Sequence, residues 1–326
     1  MNREIDFSRY LPYLAGITFS VVFGFSFLFS KEALDFLDPF QLLGFRFLLA
    51  AIFMTFLKFV GLIKTNIIGK PLLPLLLVSL FQPGIYFPFE VLGIQLTTSS
   101  QAGLMISLIP VSVAVLAAIF LKEKPGRLQL VFIILSVTGV GIVVSFQGEL
   151  AAAESHYLGI VLLLGAVLAA GFYNIVSRYI SVSFTPVEIT FAMCYFGALQ
   201  FNIIGLISHQ GPAGEYIEVI FNPETLIAVF YLGILSSVLA FFMMNYSLSK
   251  LPASQAAIFA NLTTVVAIAA GVLIRDEPFY LMQGLGAALI ILGVWGTNYF
   301  GIREKTKSRS FKEAREGGIT GEKSYD

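Results

Sequence analysis

The sequence predicts an all-α integral membrane protein: ten transmembrane helices arranged as two inverted five-helix repeats, with both termini cytoplasmic. Three observations predict it. The chain is only 12% charged and 57% hydrophobic, with a mean hydropathy of +0.86. Soluble domains average about 25% charged residues, so too few charges exist to cover a water-facing surface of this size. Second, the apolar residues fall into runs of about 20, the length that crosses a bilayer. Third, residues 99–125 recur imperfectly at 254–278.

That repeat is traced by landmarks. Ser100-Gln101-Ala102 leads through an apolar stretch to Leu121-Lys122-Glu123-Lys124-Pro125, and Ser254-Gln255-Ala256 leads to Ile274-Arg275-Asp276-Glu277-Pro278. Gly24-Phe25 and Ser30-Lys31 recur as Gly171-Phe172 and Ser177-Arg178. Pro39 answers to Pro186, Gln129 to Gln283 and Gly139-Val140 to Gly293-Val294. One unit of roughly 150 residues is used twice.

Ten segments meet the length requirement: 11–30, 39–60, 72–94, 99–121, 128–146, 157–176, 186–208, 223–246, 253–274 and 280–300. They divide the chain into a cytoplasmic start (1–10), a first repeat (11–146), a second (157–300) and a tail (301–326). The first run begins after Arg9 and lacks a small-residue cleavage site before Lys31-Glu32, so it reads as a retained helix rather than a signal peptide. The connections are short, which places consecutive helices side by side. The tail is polar and basic, which predicts disorder with some attraction to anionic lipid.

Orientation follows from the basic residues. With the N-terminus inside, the inner segments hold Arg3, Arg9, Lys58, Lys64, Lys70, Lys122, Lys124, Arg127, Arg178, Lys250 and the seven of the tail. The outer loops hold Lys31 and Arg275. Five spans per half is an odd number, so the second half enters the membrane upside down. Inverted repeats of this kind build carriers that rock about a site between the halves.

Each half thus has an apolar helix closing on an acid-containing tetrad before proline. Together with Pro39-Phe40…Arg46 opening the second span and Pro110 in the fourth, this resembles the EamA-type branch of the drug/metabolite transporter superfamily. The resemblance covers about residues 11–300. It implies a ten-helix transporter with a central cavity, often exporting amino acids or other small metabolites. The second copy departs from the pattern, because Thr264 stands where a proline matching Pro110 is expected. The two halves therefore differ chemically at mid-depth.

Charge within a bilayer is costly, about 2.5–3.5 kcal/mol per residue at a helix centre on insertion scales. Arg46 and Glu90 carry that cost, in spans two and three. Their repeat equivalents are Met193 and Met244, so both charges belong to one half alone. An ion pair acting in gating or coupling is one expectation; outward snorkelling of Arg46 beside a hydrated Glu90 is the other. Gln82-Pro83-Gly84 should break span three near its middle, because proline removes a backbone hydrogen bond. Freed carbonyls at that depth need protein or water, which suggests that the break lines a cavity.

Candidate substrate-binding residues are Ser20, Gln82, Tyr86, Ser237, Asn261, Thr263 and Trp295, each set against the alternative of interhelical glue or packing. Lys31 and Arg178, at matching helix ends, should snorkel. The two acidic turns should cap helices.

Absences narrow the chemistry. The sequence has no Walker A loop, no HExxH and no serine elbow. Its single cysteine, Cys194, excludes an intramolecular disulfide. No cofactor, metal or nucleic-acid partner is implied, and no enzymatic activity. The partners expected are a small-molecule substrate and the lipid bilayer. The reading is a secondary transporter of the plasma membrane, working by alternating access on amino acids or similar amphiphilic solutes. The rivals are an intramembrane lipid-processing enzyme and a non-transporting scaffold.

Overall fold

A computed structural model describes residues 10–67, 69–120, 126–145, 154–209, 211–251, 258–297 and 299–300. The described residues are helical, with no strand among them. Seven helices are long and apolar enough to cross a membrane: α1 (Leu11–Ala33), α2 (Pro39–Phe59), α3 (Leu73–Leu96), α4 (Ser99–Phe120), α6 (Ser155–Ile180), α7 (Pro186–Ser208) and α8 (Pro223–Lys250). Three shorter apolar helices also lie among the described residues: α5 (Arg127–Val143), α9 (Ile258–Ile274) and α10 (Leu281–Thr297). The turn at Leu121–Pro125, the Ser254-Gln255-Ala256 segment, the first nine residues and the tail from 301 lie outside the described residues.

Local chemistry fixes the helix starts. Asp38 caps α2 and Thr185 caps α7, each followed by proline in the first turn. Proline is at home there because its missing N–H had no intrahelical partner to lose. Thr98 caps α4 through the amide of Gln101 at 3.2 Å. The repeat landmarks Pro39 and Pro186 are thus helix openers, kept in both copies for the same reason.

Packing follows the repeat. Helix α1 packs on α9 as α6 packs on α4, and α1 packs on α8 as α6 packs on α3. Gly24 explains one such seam: a Cβ there would lie 2.5 Å from Val266 of α9. Its repeat equivalent, Gly171, would meet Ser112 of α4 at 2.4 Å. Only glycine allows either pair of helices so close.

Helix α2 meets its own equivalent, α7, and the two run antiparallel. Phe40 lies against Gly205, Gly44 against Asn202, Phe47 against Gly197, and Lys58 over the ring of Phe191. Helices α5 and α10 pair in the same sense, with Gly139 against Gly286 and Ser136 against Gly293. Where equivalent helices meet, one copy is upside down relative to the other.

The loops obey the same relation. Gln41 of α2 donates to the carbonyl of Tyr216 at 2.7 Å, tying its helix start to the loop that follows α7. Its equivalent, Glu188 of α7, accepts from Lys70 Nζ at 2.9 Å and the Asn66 amide at 2.9 Å, in the loop that follows α2. At these equivalent positions one mouth has a neutral bond and the other an ion pair.

Candidate functional site

Helix α3 is broken where proline predicts. Gln82 leaves the helical region (φ −146°, ψ 115°) and the Gln82–Pro83 peptide is cis. Just past the break, Gln200 of α7 donates at 3.1 Å to the Gly84 carbonyl, whose helical donor would be the missing N–H of Pro88. The equivalent stretch of α8, Tyr231–Ala240, is wound into wide π-type turns. Such turns often accompany functional sites. No proline marks them, and the sequence reading missed them.

The π-type stretch presents Ser236 and Ser237 to Arg46. The Arg46 Nε donates to Ser237 Oγ at 2.8 Å and Nη2 to Ser236 Oγ at 2.9 Å. The guanidinium also lies 4.3 Å from the centre of the Phe87 ring. A desolvated contact of this kind contributes about 2 kcal/mol. Arg46 is 1% exposed, so snorkelling is excluded. The sequence suggested an ion pair with Glu90, and none forms: Glu90 is also buried, and it accepts from the Tyr86 hydroxyl at 2.8 Å. Arginine offers five donors in a rigid fork, and two hydroxyls plus a ring accommodate it without a carboxylate. Two opposite charges therefore sit in one core, each held by neutral partners.

Aromatic rings pave this core. Phe23 of α1, Phe241 of α8, Phe87 of α3, Phe47 of α2 and Phe201 of α7 follow one another at centroid distances of 5.4, 5.9, 5.1 and 5.5 Å. The Sγ of Cys194 lies 3.5 Å from the Ser237 carbonyl, beside the arginine's anchor.

The other candidate residues disperse. Ser20 donates to the carbonyls of Gly16 and Phe259, both at 2.8 Å, and closes the α1–α9 seam. Thr263 bonds back to Phe259 O at 3.3 Å within its own helix. Trp295 is 48% exposed, stacks on Tyr299 and meets the ring of Phe132 on α5 edge-on. The side chain of Asn261 lies outside the described residues. Structure thus groups Arg46, Tyr86, Glu90 and Ser237, with Gln82 in the break below, and leaves Ser20, Thr263 and Trp295 apart. The Lys31 ammonium caps the end of α3, donating to the carbonyls of Ile94, Gln95 and Thr97 at 2.6–3.1 Å.

The second acidic turn does cap a helix, though not its own. Glu277 takes four bonds from the start of α4: the amides of Ser99 and Ser100 at 2.8 and 2.9 Å and their hydroxyls at 2.5 and 2.6 Å. Burial works to raise this carboxyl's pKa, but the serine donors outweigh it and hold the pKa below the usual range. A depressed folded pKa stabilises the protein above the unfolded value and loses that contribution as pH falls through the folded one. Glu277→Gln should therefore lower the melting temperature of detergent-solubilised protein at pH 7. The gap should narrow below about pH 4.5; a gap constant with pH would refute the account.

Comparison with known proteins places this arrangement. The model of the EamA-like transporter family matches twice, over residues 11–145 and 157–299. The chain belongs to the EamA-like transporter family. Among EamA relatives, the uncharacterized transporter YcxC of Bacillus subtilis is 35% identical over 298 residues, covering 90% of this chain and 95% of that protein. A probable amino-acid metabolite efflux pump of Escherichia coli is 26% identical over 291 residues, 87% of this chain and 93% of its own. A solved crystal structure aligns with a TM-score of 0.64 at 15% identity, over 90% of this chain and 98% of the other, and shares the fold. The chain is thus a multi-pass membrane protein of a transporter family rather than of an enzyme family.

Proposed function

We propose that this EamA protein is a secondary transporter of the plasma membrane, exporting or exchanging amino acids or similar amphiphilic solutes by alternating access. The observation that carries the reading is the pair of buried, unjoined charges. Arg46 leaves Nη1 without a partner among the described residues, and Glu90 leaves Oε2. A solute carrying both an anionic and a cationic group would satisfy both, against the ring of Phe87. A strongly anionic cargo such as a nucleotide would meet the uncancelled Glu90 carboxylate.

The same reading takes the three shorter helices as spans, giving ten in two repeats, 11–146 and 157–300. It places both termini in the cytoplasm. The excess of lysine and arginine on one side supports that orientation. So does the grouping of Lys31, Asp35, Arg275 and Glu277 at one mouth and of Lys58, Lys70 and Glu188 at the other. The name of the Escherichia coli relative supports the solute class. The breaks in α3 and α8 lie at corresponding points of the two repeats, where helices that bend during alternating access would need them.

The test is counterflow in proteoliposomes with a panel of labelled amino acids, with and without a pH gradient. Saturable, trans-stimulated flux of one or more is the expected result. Silence across the panel with folded protein would turn the reading to other solutes, or to the enzyme and scaffold alternatives.

A further inference from the structure

A second buried polar cluster lies near the mouth that bears the Lys70–Glu188 ion pair. Asn245, on α8, is 3% exposed and five residues from the end of its helix, about 8 Å inside at 1.5 Å per residue. Its Oδ1 accepts from the Tyr173 hydroxyl at 2.8 Å and the Ser177 hydroxyl at 3.3 Å, both on α6. Its Nδ2 donates to Thr190 Oγ1 on α7 at 3.2 Å. All four residues are buried, and none is charged.

What Asn245 joins matters more than what it bonds. The packing described above sorts six helices into two groups, α1 with α8 and α9, and α3 with α4 and α6, and α4 and α9 meet across them, with Thr264 Oγ1 donating to the Gly103 carbonyl at 3.1 Å. Asn245 belongs to the first group, and Tyr173 and Ser177 to the second. At the far mouth the same two groups are joined by other means. Lys31 of α1 holds the end of α3, and Glu277 holds the start of α4. Each mouth therefore has its own fastening between the same two bodies, with the Arg46–Glu90 core between them.

The repeat argues that this cluster is not mere scaffolding. Its equivalents in the first half are Val91 for Asn245, Ser26 for Tyr173, Ser30 for Ser177 and Leu43 for Thr190. Val91 and Leu43 are apolar and fully buried, and Ser26 bonds back to Phe23 O within its own helix. A seam that the fold needed would have a counterpart, as the Gly24 and Gly171 seams do. The first half instead carries Arg46 and Glu90, for which the second half has methionines.

We infer that Asn245, with Tyr173, Ser177 and Thr190, is the gate at the mouth bearing the Lys70–Glu188 ion pair, closed in this structure. Opening exchanges its three hydrogen bonds for water. Neutral partners suit that role, since each can be satisfied by water without stranding a buried charge. The two halves are then specialised: the first supplies the charged core and the second the gate. The inference rests on the transport reading, as deepening it, but can be tested without any solute.

Cys194 provides the readout. It is the sequence's only cysteine, fully buried, and one helical turn deeper than Thr190 along the same face of α7. A membrane-impermeant maleimide is applied in turn to each face of sealed vesicles holding wild type, Asn245→Leu, Tyr173→Phe or Val91→Ala. Vesicle orientation is calibrated with a separate Cys194→Ser/Lys64→Cys protein. In Asn245→Leu, Cys194 labelling from the Lys64 face should rise about tenfold, reporting a tenfold larger open population. In Tyr173→Phe, which removes one hydroxyl and little packing, it should rise by a smaller factor. Labelling from the other face, and of Val91→Ala from either, should match wild type. Unchanged labelling in both gate variants, or an equal rise from both faces, would overturn the gate. Flux with unmoved labelling rejects the gate and leaves the transporter. One-sided labelling with silent counterflow leaves the gate and rejects the solute class.

Discussion

Arg46→Met should abolish counterflow, with flux at least about 100-fold below wild type in vesicles holding equal amounts of folded protein. The arginine makes two buried hydrogen bonds to serine hydroxyls, at 2.8 and 2.9 Å. Hydrogen bonds to a charged group contribute about 1.5–3 kcal/mol each, and about 1.4 kcal/mol corresponds to a factor of ten. Losing the charge also removes the cation that an anionic group of the solute would meet, the one lysine or arginine buried among the described residues. Arg46→Lys should rescue little, because an ammonium is a point charge and cannot hold two hydroxyls and a ring face in the arginine's fixed geometry. Had Arg46 and Glu90 formed an ion pair, removing both would have been milder than removing one. Glu90 is instead held by Tyr86, so the double variant Arg46→Met/Glu90→Met should transport no better than the single one. Recovery of flux in the double variant would show that the charges depend on each other directly.

The sequence carried the fold further than the site, and the reasons are physical. Hydropathy and repeat depend on composition and order, and both survive without coordinates. Pro39 and Pro186 announced two helix starts, and Gln82-Pro83-Gly84 announced a break, because proline's effect on the backbone is local. Arg46 and Glu90 stood out because a charge in an apolar run is rare for energetic reasons. Their partners were another matter. The hydroxyls of Ser236 and Ser237 reach Arg46 from 190 and 191 residues away, through a π-type winding that has no signature in residue type. Ser20, Thr263 and Trp295 were reasonable candidates by residue type, yet which way a side chain faces depends on helix rotation. Ser20 found the carbonyl of Phe259, and Trp295 the ring of Tyr299. Asn245 was passed over although a buried asparagine is as costly as the residues chosen. The signal available was its place beside Met244, where comparison with Val91 shows a polar group present in one copy and absent from the other.

Glu90→Gln should keep substrate exchange and lose its pH dependence. The described residues include three fully or nearly buried carboxylates, and the other two are satisfied in their charged form. Glu188 has the ammonium of Lys70 at 2.9 Å, and Glu277 has four serine donors. Glu90 has one hydroxyl donor, Tyr86, on its own helix, and no cation within ion-pair distance among the described residues. Of the charged groups near it, Arg46 is committed to Ser236 and Ser237. A carboxylate so placed can take up a proton without breaking an ion pair, which is the requirement for a group that alternates between proton and substrate. Glutamine keeps the shape, and its amide oxygen can accept from Tyr86 and from a cationic group of the solute, so exchange survives in weakened form while the titrating group is gone. Counterflow of wild type should change across about pH 5.5–8, slightly more than the roughly two units over which one group titrates, and the variant should be flat across it. A variant whose flux follows the wild-type curve would remove Glu90 from coupling. A variant with no exchange at any pH would instead assign its charge to holding the solute.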